Sequence, residues 1–271
     1  MIRQRRMARR TLDRSIPLFV ESSRTTGTHN RYVSLPCVEE LATEAFSHPE
    51  VLDAIALLVA VKAIKFGYSK PEIISTRRRL MLLCDTVPVQ DAIRALEAVA
   101  VEYRKECPEG APAPQRRDVA GQFCSAISET IVLKFLTAAG RRDADITKDA
   151  RVLSRDSRPI NSCNIDFIWA SIRRKLAELV ECKNQLYSLL RGLGTADFRR
   201  SKLWLMLETS RLLVGARWRV RMACVTLRSR EAMATAASRL ASIELAGEIY
   251  CVEAYCVEDL CDRRFPPREG N

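Results

Sequence analysis

Histidine is almost missing from this chain: His29 and His48 are the only two in 271 residues. Neither stands at zinc-ligand spacing from cysteine, and no CxxC pair occurs, which excludes the common structural zinc sites. Nothing in the sequence supplies a covalent nucleophile with a histidine partner. Glycine and proline are sparse, at ten and eleven residues, so collagen-like and low-complexity chains are excluded. No apolar run reaches the roughly 20 residues that a spanning helix needs. The longest candidate, residues 51–63, is interrupted by Asp53 and Lys62. The basic start (Arg3, Arg5, Arg6, Arg9 and Arg10) is not followed by an apolar signal core. A cytoplasmic chain with no membrane partner is therefore expected, its ten cysteines reduced and mostly in the core.

Lysine is also scarce, with 9 residues against 35 arginines. The 44 basic residues outnumber 33 acidic ones, for a net charge of +11. The arginine fork pairs bidentately with phosphate, so the excess fits a polyanionic partner. A GC-rich coding sequence would also enrich arginine, and composition does not separate the two.

Residues 1–35 are polar and basic without sustained periodicity, and read as a flexible tail. From Pro36 to residue 106 the pattern is helical. Pro36 and Pro49 open helices, the second running to about residue 66, and further helices are expected over 70–84 and 88–106. Residues 107–117, CPEGAPAPQRR, hold three prolines and a glycine and read as a linker. Beyond it the grammar changes. A helix over 118–139 is followed by short β-like runs at 165–169 and 176–183. Helices are expected at 185–193 and 197–214, then strand 218–227, helix 231–243 and strand 248–257. That order predicts an α/β domain over 118–262 with a mixed sheet flanked by helices, leaving 263–271 as a tail.

The chemistry lies in the two strand candidates. In the second, period 2 puts Glu181 and Lys183 on one face. The gap 171–174 suits a hairpin turn that brings the strand of Asp166 alongside. Two carboxylates and an ammonium would then converge. Mg²⁺ prefers one or two carboxylates plus water and phosphate oxygens, and a neighbouring lysine can orient an attacking water.

These residues resemble the PD-(D/E)xK nuclease superfamily. Asp166, fourteen intervening residues, then Glu181-Cys182-Lys183 match its motif, over about residues 118–257. Ile165 stands where the family's name has proline. The resemblance implies a restriction-endonuclease-like fold, with its first core strand near residues 150–153. It implies Asp166 and Glu181 as metal ligands, Lys183 as the water-positioning group, and Glu129 on the preceding helix as an auxiliary ligand. Gln185 falls where some members use a glutamine near the site. It also implies Mg²⁺ (or Mn²⁺) as cofactor, double-stranded DNA as substrate and endonucleolytic cleavage. A homodimer is expected because enzymes that cut both strands often pair.

Phosphate contacts are expected from Arg173 and Arg174 in the hairpin turn, and from Arg199 and Arg200 on the helix after the site. That helix reads equally as core or as a subunit interface. A helix-turn-helix over residues 55–82, with Arg77, Arg78 and Arg79, is an alternative to a plain helical bundle. Two other functions stay open: an inactive nuclease-fold module that binds nucleic acid, and a protein-contact component of a defence or mobile-element system.

Overall fold

The computed structural model describes residues 10–11, 18–22, 30–60, 87–154 and 156–267. Among them is one large sheet. Its strands are β1 (Arg10–Thr11), β2 (Leu18–Ser22), β3 (Ile146–Ser154), β4 (Ile165–Ser171), β5 (Leu176–Cys182), β6 (Arg219–Val225) and β9 (Glu253–Tyr255), hydrogen-bonded in that order. The pairs from β1 to β5 are antiparallel, whereas β5–β6 and β6–β9 are parallel. A small hairpin, β7 (Ile243–Leu245) with β8 (Glu248–Tyr250), sits apart.

The described helices are α1 (Pro36–Ser47), α2 (Pro49–Ala60), α3 (Val87–Glu106), α4 (Ala113–Ala138), α5 (Lys202–Gly215), α6 (Arg230–Leu240) and α7 (Val257–Cys261). Proline at the first turn starts α1, where its missing N–H costs nothing. Ser201 and Ser229 cap α5 and α6, each side-chain oxygen accepting a backbone N–H from the first turn.

The sheet is covered on both faces. On one, Phe123, Ile127, Ile131 and Phe135 of α4 pack with Phe167, Val180 and Val225 of the strands. On the other, Leu203, Met206 and Leu207 of α5 pack with Ile168, Leu179 and Cys224. This is a mixed α/β sheet flanked by helices, with a helical region before it. The parallel β5–β6 pair requires a crossover, and α5 supplies it.

Several sequence expectations give way. The segment expected as a flexible tail contributes β1 and β2, because Leu18 and Val20 are buried against β3. The expected linker is shorter, since α4 already begins at Ala113. Nor does the early helical region form a core of its own. Tyr32 stacks on Phe123 with ring centroids 4.0 Å apart, and Phe46 meets Phe135 edge-on at 5.0 Å. Both contacts join the early helical region to α4, so one continuous apolar cluster spans Tyr32 to Phe265.

The helix expected over 185–193 is a single 3-10 turn, Leu186–Ser188, followed by glycines 192 and 194 at φ +80° and +86°. The last expected strand splits into β8 and β9. Helix α4 is long and apolar enough by composition to cross a membrane, although no unbroken apolar run marks it in the sequence. Most of its apolar window is buried inside the protein, as a core helix requires. The apolar helix α5 is core rather than interface, with Leu203, Leu205, Met206, Leu207 and Leu213 fully buried. The nine described cysteines are free, six of them buried. The helix-turn-helix candidate lies outside the described residues from residue 61 onward, as does the helix expected over 70–84.

Candidate functional site

The site forms where the adjacent strands β4 and β5 reach one end of the sheet. Phe167 pairs with Val180 in register, which sets Asp166 opposite Glu181. Both side chains are almost wholly enclosed, at 8% and 0% exposure. Asp166 is tied across the strand gap: its Oδ2 accepts the Cys182 N–H at 2.7 Å. Its own backbone N–H points at Glu181 Oε2, 3.3 Å away. Backbone donors therefore fix one oxygen of each carboxylate and leave the others free to converge.

They converge on a lysine, though not the expected one. Lys202 Nζ lies 2.7 Å from Asp166 Oδ1 and 2.6 Å from Glu181 Oε1. Lys183, on the same face of the strand as Glu181, comes no nearer than 3.3 Å to Glu181 Oε1 and is 31% exposed. Glu181 Oε1 is buried and takes no hydrogen bond of good geometry; its close neighbours are these two ammonium groups.

Glu129 enters from the other helical layer. It projects from α4, and its Oε1 accepts the Ser125 hydroxyl at 2.8 Å. Burial, then the negative charge of Asp166, pushes its carboxyl up to about 8, against an ordinary 4.5. Glu181 is raised to about 6 by burial first and Asp166 second, with Lys202 and Lys183 pulling the other way. Lys202 loses charge stability to burial, but Glu181 and Asp166 more than offset this and lift its pKa well above 10.5. Three carboxylates thus share two partly exposed ammonium groups, Lys202 at 26% and Lys183 at 31%. The cluster is short of positive charge.

A cleft of about 340 Å³ opens onto it, lined by Glu129, Asp149, Asp166 and Lys202 among others. Asp149 was not anticipated. The pairing of Lys148 with Phe167 and of Ala150 with Ile165 places it opposite Asp166, and its left-handed backbone (φ 48°) marks a local distortion of β3. Its Oδ1 accepts the Asn164 side-chain amide at 3.0 Å.

The expected phosphate contacts divide. Arg199 and Arg200 are exposed on the 3-10 turn that leads into Lys202. Their carbonyls accept from Asn161 and Cys163, on the segment leading to Asp166. They flank the site. Arg173 and Arg174 do not: the β4–β5 turn is at the opposite end of both strands, five residues or about 17 Å from Asp166. Antiparallel strands run away from their own turn, so the turn could not have bordered this site. Gln185 is exposed just past β5, its carbonyl accepting the Ser188 hydroxyl, and no described contact joins it to the carboxylates.

Lys202 was missed because it lies 36 residues beyond Asp166. One signal was available. A cation in the first turn of a helix opposes the helix dipole, so a lone lysine opening an otherwise apolar helix implies a carboxylate nearby.

Among the described residues, no group of three or more His, Cys, Asp or Glu side chains is gathered as a ready-made metal cage. Two carboxylates aimed at one point, with a third beside them, fit the sparse protein ligation of Mg²⁺, which completes its shell with water and phosphate.

No family model and no curated protein matches the chain. Among solved structures, protein VC1899 from Vibrio cholerae is similar at 15% identity, with a TM-score of 0.44. The match covers 95% of this chain and 60% of that one, so the chain spans about three fifths of its length. A likeness that loose carries no argument about function.

Proposed function

We propose that this chain is a metal-dependent nuclease of PD-(D/E)xK type that hydrolyses phosphodiester bonds, with double-stranded DNA as substrate and internal cleavage as its mode. One observation carries the reading. Asp166 and Glu181, from neighbouring strand ends, direct one oxygen each at a single cation. The spacing and strand placement of Asp166, Glu181 and Lys183 support it further. Asp166 and Glu181 would hold Mg²⁺ or Mn²⁺, with Glu129 in support.

A divalent ion bound there supplies charge neutralisation at the scissile phosphate and acidifies a water. The chain's own residues do the rest. Backbone N–H groups fix one oxygen of each carboxylate, so the Lys202 ammonium, rather than the carboxylates, would be displaced when a cation arrives. Lys183, half-exposed beside Glu181, orients the attacking water and offers positive charge to the phosphate. Glu129, with a pKa near 8, holds or releases a proton near neutrality. Arg199 and Arg200 at the rim hold the backbone of the nucleic acid.

The test is cleavage of supercoiled plasmid with Mg²⁺ or Mn²⁺ by wild type, Asp166→Ala and Lys183→Ala. Cleavage by wild type, lost in both variants, is expected. Equal nicking by all three, or none by any, overturns the proposal.

A second reading has one observation in its favour: the Lys202 ammonium bridges both carboxylates, where an active site would seat its metal. In that reading a salt bridge has replaced the metal, and the chain binds nucleic acid without cutting it. Salt-sensitive retention of DNA with no cleavage in either metal is its outcome.

A further inference from the structure

A cleft of about 950 Å³ lies at the far end of the sheet from the carboxylates, where α4 ends and β4 turns into β5. Its size is near the upper end of the roughly 300–1,000 Å³ of small-molecule sites. Phe46, Phe135, Trp169 and Phe265 line it. So do five arginines, Arg141, Arg142, Arg173, Arg174 and Arg263, against a single acid, Asp145.

The arginines are not equivalent. Arg141 is buried and committed: it forks onto Glu178 through Nε (3.0 Å) and Nη2 (2.6 Å) and lies over the Trp169 ring. It serves as wall. Arg263 is exposed and lies over two rings, its guanidinium carbon 4.3 Å from the Phe46 centroid and 5.0 Å from that of Phe135. A guanidinium lying over rings on one side presents its outer plane as a stacking surface for a flat base. Arg142, with its side chain 83% exposed, and Arg173, exposed in the β4–β5 turn, stand at the rim. Arginine forks match phosphate oxygens.

From this arrangement we infer that the cleft is a second binding site, for a nucleotide: a base stacked on Arg263 and a phosphate chain held by Arg173 and Arg142. Phe135, Trp169 and Phe265 are themselves buried in the core, and Arg142 Nε already pairs with Asp145 at 2.9 Å. A bare anion would leave the exposed Arg263 plane unused, and a neutral aromatic would leave the net positive charge of the rim unanswered. The site needs no metal and does not share a residue with the carboxylate cluster.

ATP is the probe, titrated in EDTA and followed by calorimetry, beside adenosine and inorganic triphosphate at equal ionic strength. Saturable ATP binding is expected, at least tenfold tighter than either fragment. Arg173→Ala with Arg142→Ala should weaken ATP at least tenfold. Arg263→Ala should weaken ATP while leaving triphosphate unchanged. Asp166→Ala should bind ATP as wild type does, whatever its effect on cleavage. These arginines are exposed, and each variant's melting temperature checks that it folds. No saturable ATP binding overturns the inference. So does equal affinity for triphosphate and ATP, which marks an anion site only, or ATP binding indifferent to the arginine variants.

Discussion

Strand β5 carries two buried glutamates three residues apart, on opposite faces of the sheet, and their surroundings could hardly differ more. Glu178 meets Arg141 in a two-point fork with both bonds at 3.0 Å or less. Two further Arg141 donors go to the carbonyls of Ala139 and Pro267. One acid is matched by one cation anchored at four points, with a second guanidinium, Arg221, 3.8 Å from the same carboxylate. Around Glu181 three carboxylates crowd two partly exposed ammonium groups, and two of the carboxylates are pushed up by burial and mutual repulsion. A structural ion pair is balanced when the fold closes. The Glu181 cluster is left wanting a positive charge, which a proton or a divalent cation can bring. Perturbed carboxyls beside a cleft mark a candidate functional site.

The sharpest way to break this contrast is to remove one glutamate of each kind. Glu181→Gln should abolish metal-dependent plasmid cleavage while lowering the melting temperature little or even raising it, because it deletes a buried charge from an over-negative cluster. Glu178→Gln should do the reverse, unfolding the protein more easily but leaving cleavage per folded molecule intact. Plasmid assays beside thermal melts read both. If Glu181→Gln cuts like wild type, the two ends of β5 are the same kind of feature.

Arg141→Met sharpens the structural end. It strands the Glu178 charge in the core and should cost about 3–5 kcal/mol, measured by urea unfolding. The double variant Arg141→Met with Glu178→Leu should recover most of that loss, since apolar replacements of buried pairs are often neutral. No recovery would mean the pair contributes more than its mutual neutralisation.

At the other end, Lys202→Met separates the two functional readings. Without the ammonium, Asp166 and Glu181 repel, and the metal-free protein should lose about 3 kcal/mol, the lower end for breaking a buried pair, because this lysine is a quarter exposed. If the site takes a metal, millimolar Mg²⁺ or Mn²⁺ should restore the melting temperature, an effect that wild type shows more weakly. A melting temperature indifferent to both metals would favour the salt-bridged, non-cutting module.

How far the sequence carried this is uneven, for physical reasons. Asp166, Glu181 and Lys183 were legible because strand period and hairpin pairing are local rules acting over sixteen residues or so. Glu129 was reachable only through the resemblance, since no spacing rule links a helix to a strand end. Lys202 depends on how α5 crosses over the sheet, which is tertiary. Strand β2 escaped because its partner β3 is more than 120 residues away, as the Ser22 hydroxyl bond to the Lys148 carbonyl shows, and no local pattern records so distant an edge. Arg173 and Arg174 were misplaced by overlooking hairpin geometry, which is a local rule and could have corrected them.

The smallest effect tests the charge shortage itself. A carboxyl that binds its proton more tightly in the folded chain stabilises the fold fully below its unfolded pKa and loses that contribution as pH rises through its folded value. For Glu129 that window runs from 4.5 to about 8, and for Glu181 from 4.5 to about 6. Metal-free wild type should therefore melt progressively lower as pH climbs from 5 to 8, with the portion above pH 6 belonging chiefly to Glu129. Glu129→Gln removes that group's titration, so its melting curve should flatten between pH 6 and 8 and cross above wild type at pH 8. Divalent metal should oppose the same slope, because it competes with protons for the cluster, and its stabilising shift should be larger at pH 8 than at pH 6. A wild-type melting temperature that is flat or rising from pH 6 to 8 would mean that Glu129 is already neutralised by a partner, and the Glu181 cluster would then be as balanced as the Glu178 pair.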